Sequence, residues 1–190
     1  MIYLRNTTDF KFNNTCVTIG KFDGLHLGHQ LLIDTIRACE KEGLTSVMLS
    51  LDILPGTFDG NVPQQRIYTE AERVEMLEKK GPQIMISYPF TRETLSTEAE
   101  VFLKEVLIDR LGAKVIVMGD DFCFGKNRLG DAGFLTARAE LYGYRTVVCP
   151  RIMYKGEVVS STLIRARLAE GDRAGAAELL NPGYFGKEST

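Results

Sequence analysis

Both histidines of this chain fall in Gly20-Lys21-Phe22-Asp23-Gly24-Leu25-His26-Leu27-Gly28-His29, three residues apart and directly after the apolar run Cys16-Val17-Thr18-Ile19. A strand that ends in a glycine-rich turn and opens a helix presents unpaired backbone N–H groups and the positive end of the helix dipole to whatever lies above it. Glycines at 20, 24 and 28 let the backbone come close to a ligand, and imidazoles at i and i+3 can donate ring N–H bonds to phosphate oxygens. The chemistry implied is polyphosphate binding. Ordinary capping or packing is the bland alternative for the two histidines. Zinc ligation is a poorer one, because no Glu or third His stands beside them.

Two further clusters carry chemistry. Ser160-Ser161-Thr162-Leu163-Ile164-Arg165 reads as a helix start. N-capping accounts for one hydroxyl there and leaves the others unexplained. A cation in the first turn opposes the helix dipole, at a cost of roughly 0.3–1 kcal/mol unless an anion sits there, so Arg165 points to a second phosphate grip. Arg167 and Arg173 read as solvated surface charges. The third cluster runs from Gly119 through Asp121, Phe122, Cys123, Phe124, Gly125, Lys126 and Arg128 to Asp131. Two phenylalanines outside any helical period, flanked by glycines and bases, suit a loop that encloses a planar ligand while its cations meet phosphate. The competing reading folds both rings into the core. Asp23 reads as a helix cap rather than a catalytic group.

The elements that must position these clusters follow from hydrophobic period. Thr15–Ile19, Thr45–Leu51, Ile84–Ser87, 114–118 and Arg145–Cys149 read as strands, alternating with helices at Gly28–Glu42, 69–79, 97–111, Ala132–Tyr142, 161–170 and 172–180. This predicts an α/β fold with a mostly parallel sheet of about five strands and helices on both faces. Val115-Ile116-Val117-Met118, apolar throughout, suits a central strand. Right-handed crossovers then bring every loop that follows a strand to one sheet edge, where a ligand binds. Gly43, Gly81, Gly112, Gly143 and Gly171 are expected to stop helices in the left-handed conformation. Residues 52–68 read as a long irregular loop at the binding edge.

Composition narrows the function classes. The chain has 190 residues, 44% of them hydrophobic, with 23 basic against 25 acidic side chains. That size suits one domain, and the charge balance offers no footprint for nucleic acid or an anionic membrane surface. Four cysteines without a C-x-x-C pair suggest reduced, mostly buried thiols. No apolar run of membrane-spanning length and no signal-like N-terminus are present, so a cytoplasmic protein is expected.

In order and spacing, the motifs Gly20-x-Phe22-Asp23-Gly24-x-His26-x-Gly28-His29, Gly119-x-x-Phe122-x-Phe124-Gly125 and Ser160-Ser161-Thr162-x-Ile164-Arg165 resemble the FAD synthetase module of prokaryotic bifunctional riboflavin kinase/FMN adenylyltransferases. The resemblance runs from about Thr15 to Tyr184. It implies a Rossmann-like nucleotidyltransferase fold that transfers AMP from ATP to FMN with magnesium, releasing pyrophosphate. His26, His29, Ser161, Thr162 and Arg165 are then the catalytic set. Gly20, Phe22, Gly24, Gly28, Asp121 and Ser160 line the ATP site, and Phe58, Phe122, Phe124, Gly125, Lys126 and Arg128 the flavin site. Asp121 stands where the family often has Asn and is a possible partner for magnesium. The family's F-x-P-x-P-like segment is altered here to Leu51-Asp52-Ile53-Leu54-Pro55-Gly56-Thr57-Phe58, which keeps one proline in a shifted context.

On this reading residues 1–184 form the adenylyltransferase domain and 185–190 a linker stub or tail. The riboflavin kinase domain that follows in the family is expected to be absent from this chain, whose expected partners are the substrates ATP and FMN and a riboflavin kinase domain or protein elsewhere. Two alternatives stand beside it: a nucleotidyltransferase with another phosphate acceptor, and a nonenzymatic flavin-nucleotide binding module.

Overall fold

The structure is a computed structural model that describes residues 1–52 and 66–186. Most of the 52–68 segment, including Phe58, lies outside the described residues, as do 187–190.

A six-stranded parallel sheet is built from β1 (Ile2–Leu4), β2 (Thr15–Gly20), β3 (Thr45–Asp52), β4 (Ile84–Pro89), β5 (Ala113–Gly119) and β6 (Arg145–Cys149), in the order β1-β4-β3-β2-β5-β6. The five strands expected from sequence are present. The sixth, β1, spans only three residues at the edge, with Ile2 opposite Ile84, too short a run to show a period. β2 pairs with β3 on one side and β5 on the other. From β2 the chain therefore winds outward to β3 and β4, then returns to β5 and β6. The crevice between the C-terminal ends of β2 and β5 is the switch point of the sheet.

Alternate residues of the central strands feed two cores. Val17, Ile19, Ile116 and Met118 face the layer made by α4 (Ala99–Val101), its continuation Phe102–Arg110, and α5 (Ala132–Tyr142). Cys16, Val115 and Val117 face the layer that contains α1 (Leu27–Ala38) and α2 (Glu70–Lys80). Burial on both sheet faces explains why the strands are apolar at consecutive positions rather than alternate ones. Cys16, Cys39 and Cys149 are buried, and all four cysteines are free thiols.

Several helix boundaries differ from the sequence expectation. The helix expected from residue 97 begins at Ala99, because the Thr97 carbonyl accepts from the Lys126 N–H at 2.8 Å and is drawn out of the helical ladder. From Phe102 to Arg110 it is a π-helix, closed by the Leu111 N–H to the Val106 carbonyl at 3.0 Å. A short helix α3 (Arg92–Leu95), capped by Thr91 and Thr94, was not expected. Gly43, Gly112, Gly143 and Gly171 have positive φ as anticipated, but Gly81 is extended at φ −108°. Gly81 is required for a different reason: a Cβ there would lie 2.3 Å from the Leu77 carbonyl oxygen.

After β6 come a small hairpin of β7 (Met153–Tyr154) and β8 (Glu157–Val158), then α6 (Ser161–Ala169) and α7 (Arg173–Leu180). The last two helices enclose their own cluster of Val159, Ile164, Ala176, Leu179 and Leu180. Arg167 is not a solvated charge. Its guanidinium bridges Glu157 and Asp172, leaving the side chain 18% exposed. Phe185, assigned to the tail from sequence, is fully buried at the end of a 3₁₀ turn spanning Pro182–Phe185 and belongs to the core around α1 and α2.

Candidate active site

The turn between β2 and α1 is held in an unusual conformation. Phe22 and Leu25, both fully buried, have φ of 48° and 47°, and Gly24 has φ of 88°. Left-handed backbone is costly for residues bearing a Cβ and persists only where surrounding contacts enforce it. At Gly24, where the sequence suggested a close approach of ligand, the structure shows a packing requirement. This glycine packs inward, where a Cβ would stand 2.9 Å from Ile67 Cδ1 and 3.2 Å from Leu180 Cδ2. Phe22 is likewise a packing residue, its ring centroid 5.1 Å from that of His29.

His26 is the N-cap of α1, its Nδ1 accepting from the His29 N–H at 3.4 Å. A ring nitrogen that accepts carries no proton, so neutral His26 bears its proton on Nε2 and can donate it. The two imidazoles stack with centroids 3.7 Å apart and planes at 18°. Burial lowers the His26 pKa to about 4, against an opposing pull from the Asp23 carboxylate. Burial, then the neighbouring His26 and Arg73, holds His29 well below the usual imidazole range. Both rings are therefore neutral donors at physiological pH. The His29 Nδ1 is buried with no hydrogen-bond partner among the described residues.

This burial has a consequence for stability. Between pH 6.5 and about 4 the unfolded chain binds a proton that folded His26 does not, so stability is full above that window and falls as the pH drops through it. In chemical denaturation His26 alone should contribute a loss on the order of 2 kcal/mol between pH 7 and pH 5, and His29 adds to it in the same direction. The loss should shrink in His26→Asn, which keeps a capping acceptor without the titrating ring. An unchanged pH dependence in that variant would exclude His26 as its source.

At the start of α6, Ser160 accepts from the Leu163 N–H at 3.2 Å and acts as its cap. The Ser161 hydroxyl donates to the Asp23 carbonyl at 2.7 Å, and Arg165 Nη2 lies 2.5 Å from Asp23 Oδ2. The other carboxylate oxygen, Asp23 Oδ1, accepts from the Ile67 N–H at 3.0 Å. Asp23 is thus not a helix cap. It joins the β2–α1 turn to α6 and to the chain leading into α2, and it offsets the Arg165 charge that sequence reasoning had left to an anion. Thr162 is exposed on the same helical turn.

A cavity of about 550 Å³ crosses the C-terminal ends of the strands. Its centre is the turn, with Gly20, His26, Gly28 and His29. On the β3–β4 side the wall is apolar: Leu51, Tyr88, Phe90, Leu95 and Phe102. On the β5–β6 side stand Gly119, Asp121, Pro150, Arg151, Val159 and Ser160. Phe122, Phe124, Gly125 and Arg128 close it from the loop after β5. That loop is a miniature hairpin, with Phe124 and Gly130 exchanging backbone bonds at 2.9 and 3.0 Å. Phe124 is buried in the core, 5.5 Å from Phe102, and Phe122 lies nearly parallel to it at 5.7 Å. The aromatic pair is therefore core and cavity wall together.

The sequence-selected residues divide accordingly. His26, His29, Gly20, Gly28, Phe22, Asp121, Ser160, Phe122, Phe124, Gly125 and Arg128 meet at the cavity. Gly24, Ser161, Thr162, Arg165 and Lys126 are not among its lining, and Lys126 pairs with Glu98 at 3.2 Å. Tyr88, Phe90 and Leu95 were missed. Tyr88 lies in the C-terminal end of β4 and Phe90 just after it, at the edge where a parallel sheet binds its ligands, and Leu95 ends α3.

Three comparisons bear on this site. The family model for FAD synthetase matches residues 9–163. A bifunctional riboflavin kinase/FMN adenylyltransferase of Buchnera aphidicola subsp. Schizaphis graminum is 32% identical over 171 residues, covering 88% of this chain and 55% of its own length. A Listeria monocytogenes FAD synthetase is 31% identical over 171 residues, covering 89% of this chain and 69% of its own. The chain spans little more than half the length of the first of these. In three dimensions it is similar to a Streptococcus pneumoniae protein described as a macrolide-efflux protein, with a TM-score of 0.81 and 26% identity over 95% of this chain and 60% of that one. Motifs, parallel sheet and family match agree along most of the sequence, and the chain belongs to the FAD synthetase family.

Proposed function

We propose that the protein transfers the adenylyl group of ATP to FMN, forming FAD and pyrophosphate, with residues 1–184 as the transferase unit. The observation that carries this reading is the cavity's plan: an apolar, aromatic lobe and a more polar lobe on either side of a turn built to hold phosphates. A flavin ring fits the chemistry of the first lobe and a nucleoside that of the second, and the reacting phosphates meet at the turn between them. The aromatic lobe also favours a flat acceptor over a small polyol or pantetheine phosphate.

The phosphate of FMN is largely dianionic at neutral pH, since the second pKa of a phosphomonoester is about 6. No general base is needed. The work of the site is to align that oxygen with the α-phosphorus of ATP and to receive the charge that moves onto pyrophosphate. The tautomer of His26 leaves the proton on Nε2, the donor proposed to act there, and His29 shares the same stacked pair. Ser160 lines the cavity, while Thr162 and the Asp23-paired Arg165 stand on the adjoining turn of α6, from which they are proposed to meet the triphosphate.

Chemistry with ATP calls for a divalent cation, and magnesium is the one proposed. Among the described residues no group of three or more His, Cys, Asp or Glu is placed to hold a metal. Magnesium keeps several waters and rides on substrate phosphates with one or two carboxylates. Asp121, exposed on the cavity wall, is the carboxylate proposed to meet it, and the ion supplies charge neutralisation on the phosphates.

Among the described residues no helix is long and apolar enough to cross a membrane. The free, buried thiols support the cytoplasm as the protein's place. Incubation with ATP, magnesium and FMN, followed by chromatographic separation of FAD, tests the proposal. FAD formation supports it. Binding without turnover points to a flavin-nucleotide binding module, and turnover only with another phosphate acceptor points to a different transferase.

A further inference from the structure

Gln30 is buried on the first turn of α1, immediately after His29, and every polar group of its side chain is engaged. Its Nε2 donates to the Leu25 carbonyl at 2.9 Å and to the Leu180 carbonyl at 2.7 Å. Its Oε1 accepts from Asn181 Nδ2 at 3.1 Å. One amide therefore joins the left-handed part of the phosphate turn to the C-terminal end of α7, 150 residues away. Asn181 stands at that end in the left-handed conformation, with φ of 45°.

We propose that Gln30 is a positioning residue that couples α7 to the phosphate turn and holds the turn in the conformation that receives the nucleotide's phosphates. Leu25 is a leucine at φ 47°, a left-handed conformation that is costly for a residue with a Cβ and needs external support. The bond from Gln30 to its carbonyl is one such support, and it fixes the peptide that leads directly into His26. Ser161 does the same for the Asp23 carbonyl from α6. Alternate carbonyls of the turn are thus drawn outward by donors on other elements. Successive N–H groups in such a turn of mixed handedness form a concavity suited to anions. On this account α6 and α7 are a brace for the turn as much as a carrier of ligand-binding groups.

The inference rests on the proposed use of ATP, and one experiment separates the two. Calorimetric titration of ATP with magnesium into the full chain comes first: failure of the unaltered protein to bind ATP defeats the functional reading itself. Gln30→Met keeps an unbranched side chain of similar length but removes all three bonds. Asn181→Gly keeps the left-handed backbone and removes only the bond to Oε1. Gln30→Met should weaken ATP binding at least tenfold and Asn181→Gly about threefold. In the transfer assay the KM for ATP should rise far more than kcat falls, and the KM for FMN should stay within twofold. A role in folding alone would lower the melting temperature and leave the ATP affinity of the folded fraction unchanged, which would overturn the proposal. Should Gln30→Met not fold, Asn181→Gly decides: an ATP affinity equal to that of the unaltered protein overturns the coupling.

Discussion

His29→Ala should lower the turnover of FAD formation by about 10²–10³-fold and leave the fold intact. The size follows from what a fixed donor contributes when charge builds in a site shielded from water: loss of one such donor typically costs that factor in kcat. The His29 ring is neutral, stacked on His26 and packed over Phe22, so in the proposed role it would meet the phosphates in one fixed orientation. Interactions that strengthen in the transition state appear in kcat, so the KM for ATP should change much less. Stability should fall little, because the ring's Nδ1 makes no hydrogen bond among the described residues and its removal orphans no partner there. Steady-state kinetics with chromatographic detection of FAD, beside a thermal melt, measures both. Near-normal turnover in the variant would remove His29 from the catalytic set.

The parallel sheet was legible because it is buried on both faces, which makes β2, β3 and β5 apolar at consecutive positions and leaves little room for another reading. The phosphate turn was legible because its chemistry is local: glycines and histidines within ten residues of one strand end. What could not be read were pairings across long separations. Asp23 looked like a cap because its partners Ile67, Ser161 and Arg165 are remote in sequence, and only the fold brings them to it. The apolar lobe was hidden for a related reason. Tyr88 and Phe90 belong to no periodic segment, and their place in the cavity depends on how far β4 extends past Ser87. Gly24 shows the limit of a motif read by residue type, since glycine was expected to admit a ligand and is needed for packing against Ile67 and Leu180.

Arg73 is the extreme case of a residue hidden in a solvated-looking segment. Within Glu70–Lys80 it sits among six charged neighbours that promise an exposed face, yet its side chain is only 2% exposed. Its Nη1 donates to Ser50 Oγ at 3.1 Å and its Nη2 to both oxygens of Asp52 at 3.1 and 3.2 Å. Asp52 is itself 6% exposed and ends β3, one residue past Leu51 in the cavity wall. Breaking a buried pair by removing one partner costs about 3–5 kcal/mol, and without Arg73 the Asp52 carboxylate would keep only the more distant Arg66, at 3.8 Å, as a cationic partner. Arg73→Met should therefore be among the most destabilising single changes in the protein. Replacing both partners by apolar groups of similar volume removes the stranded charge as well, so Asp52→Leu combined with Arg73→Met should recover most of the loss. Denaturant titration of the two single variants and the double variant gives the coupling directly. Additive losses would mean that the pair contributes no interaction energy of its own. The same variant reaches the site, because the Arg73 charge is one of the influences that keep His29 neutral. In folded Arg73→Met the His29 pKa should move upward toward the ordinary imidazole value, a shift that nuclear magnetic resonance of the ring protons can follow.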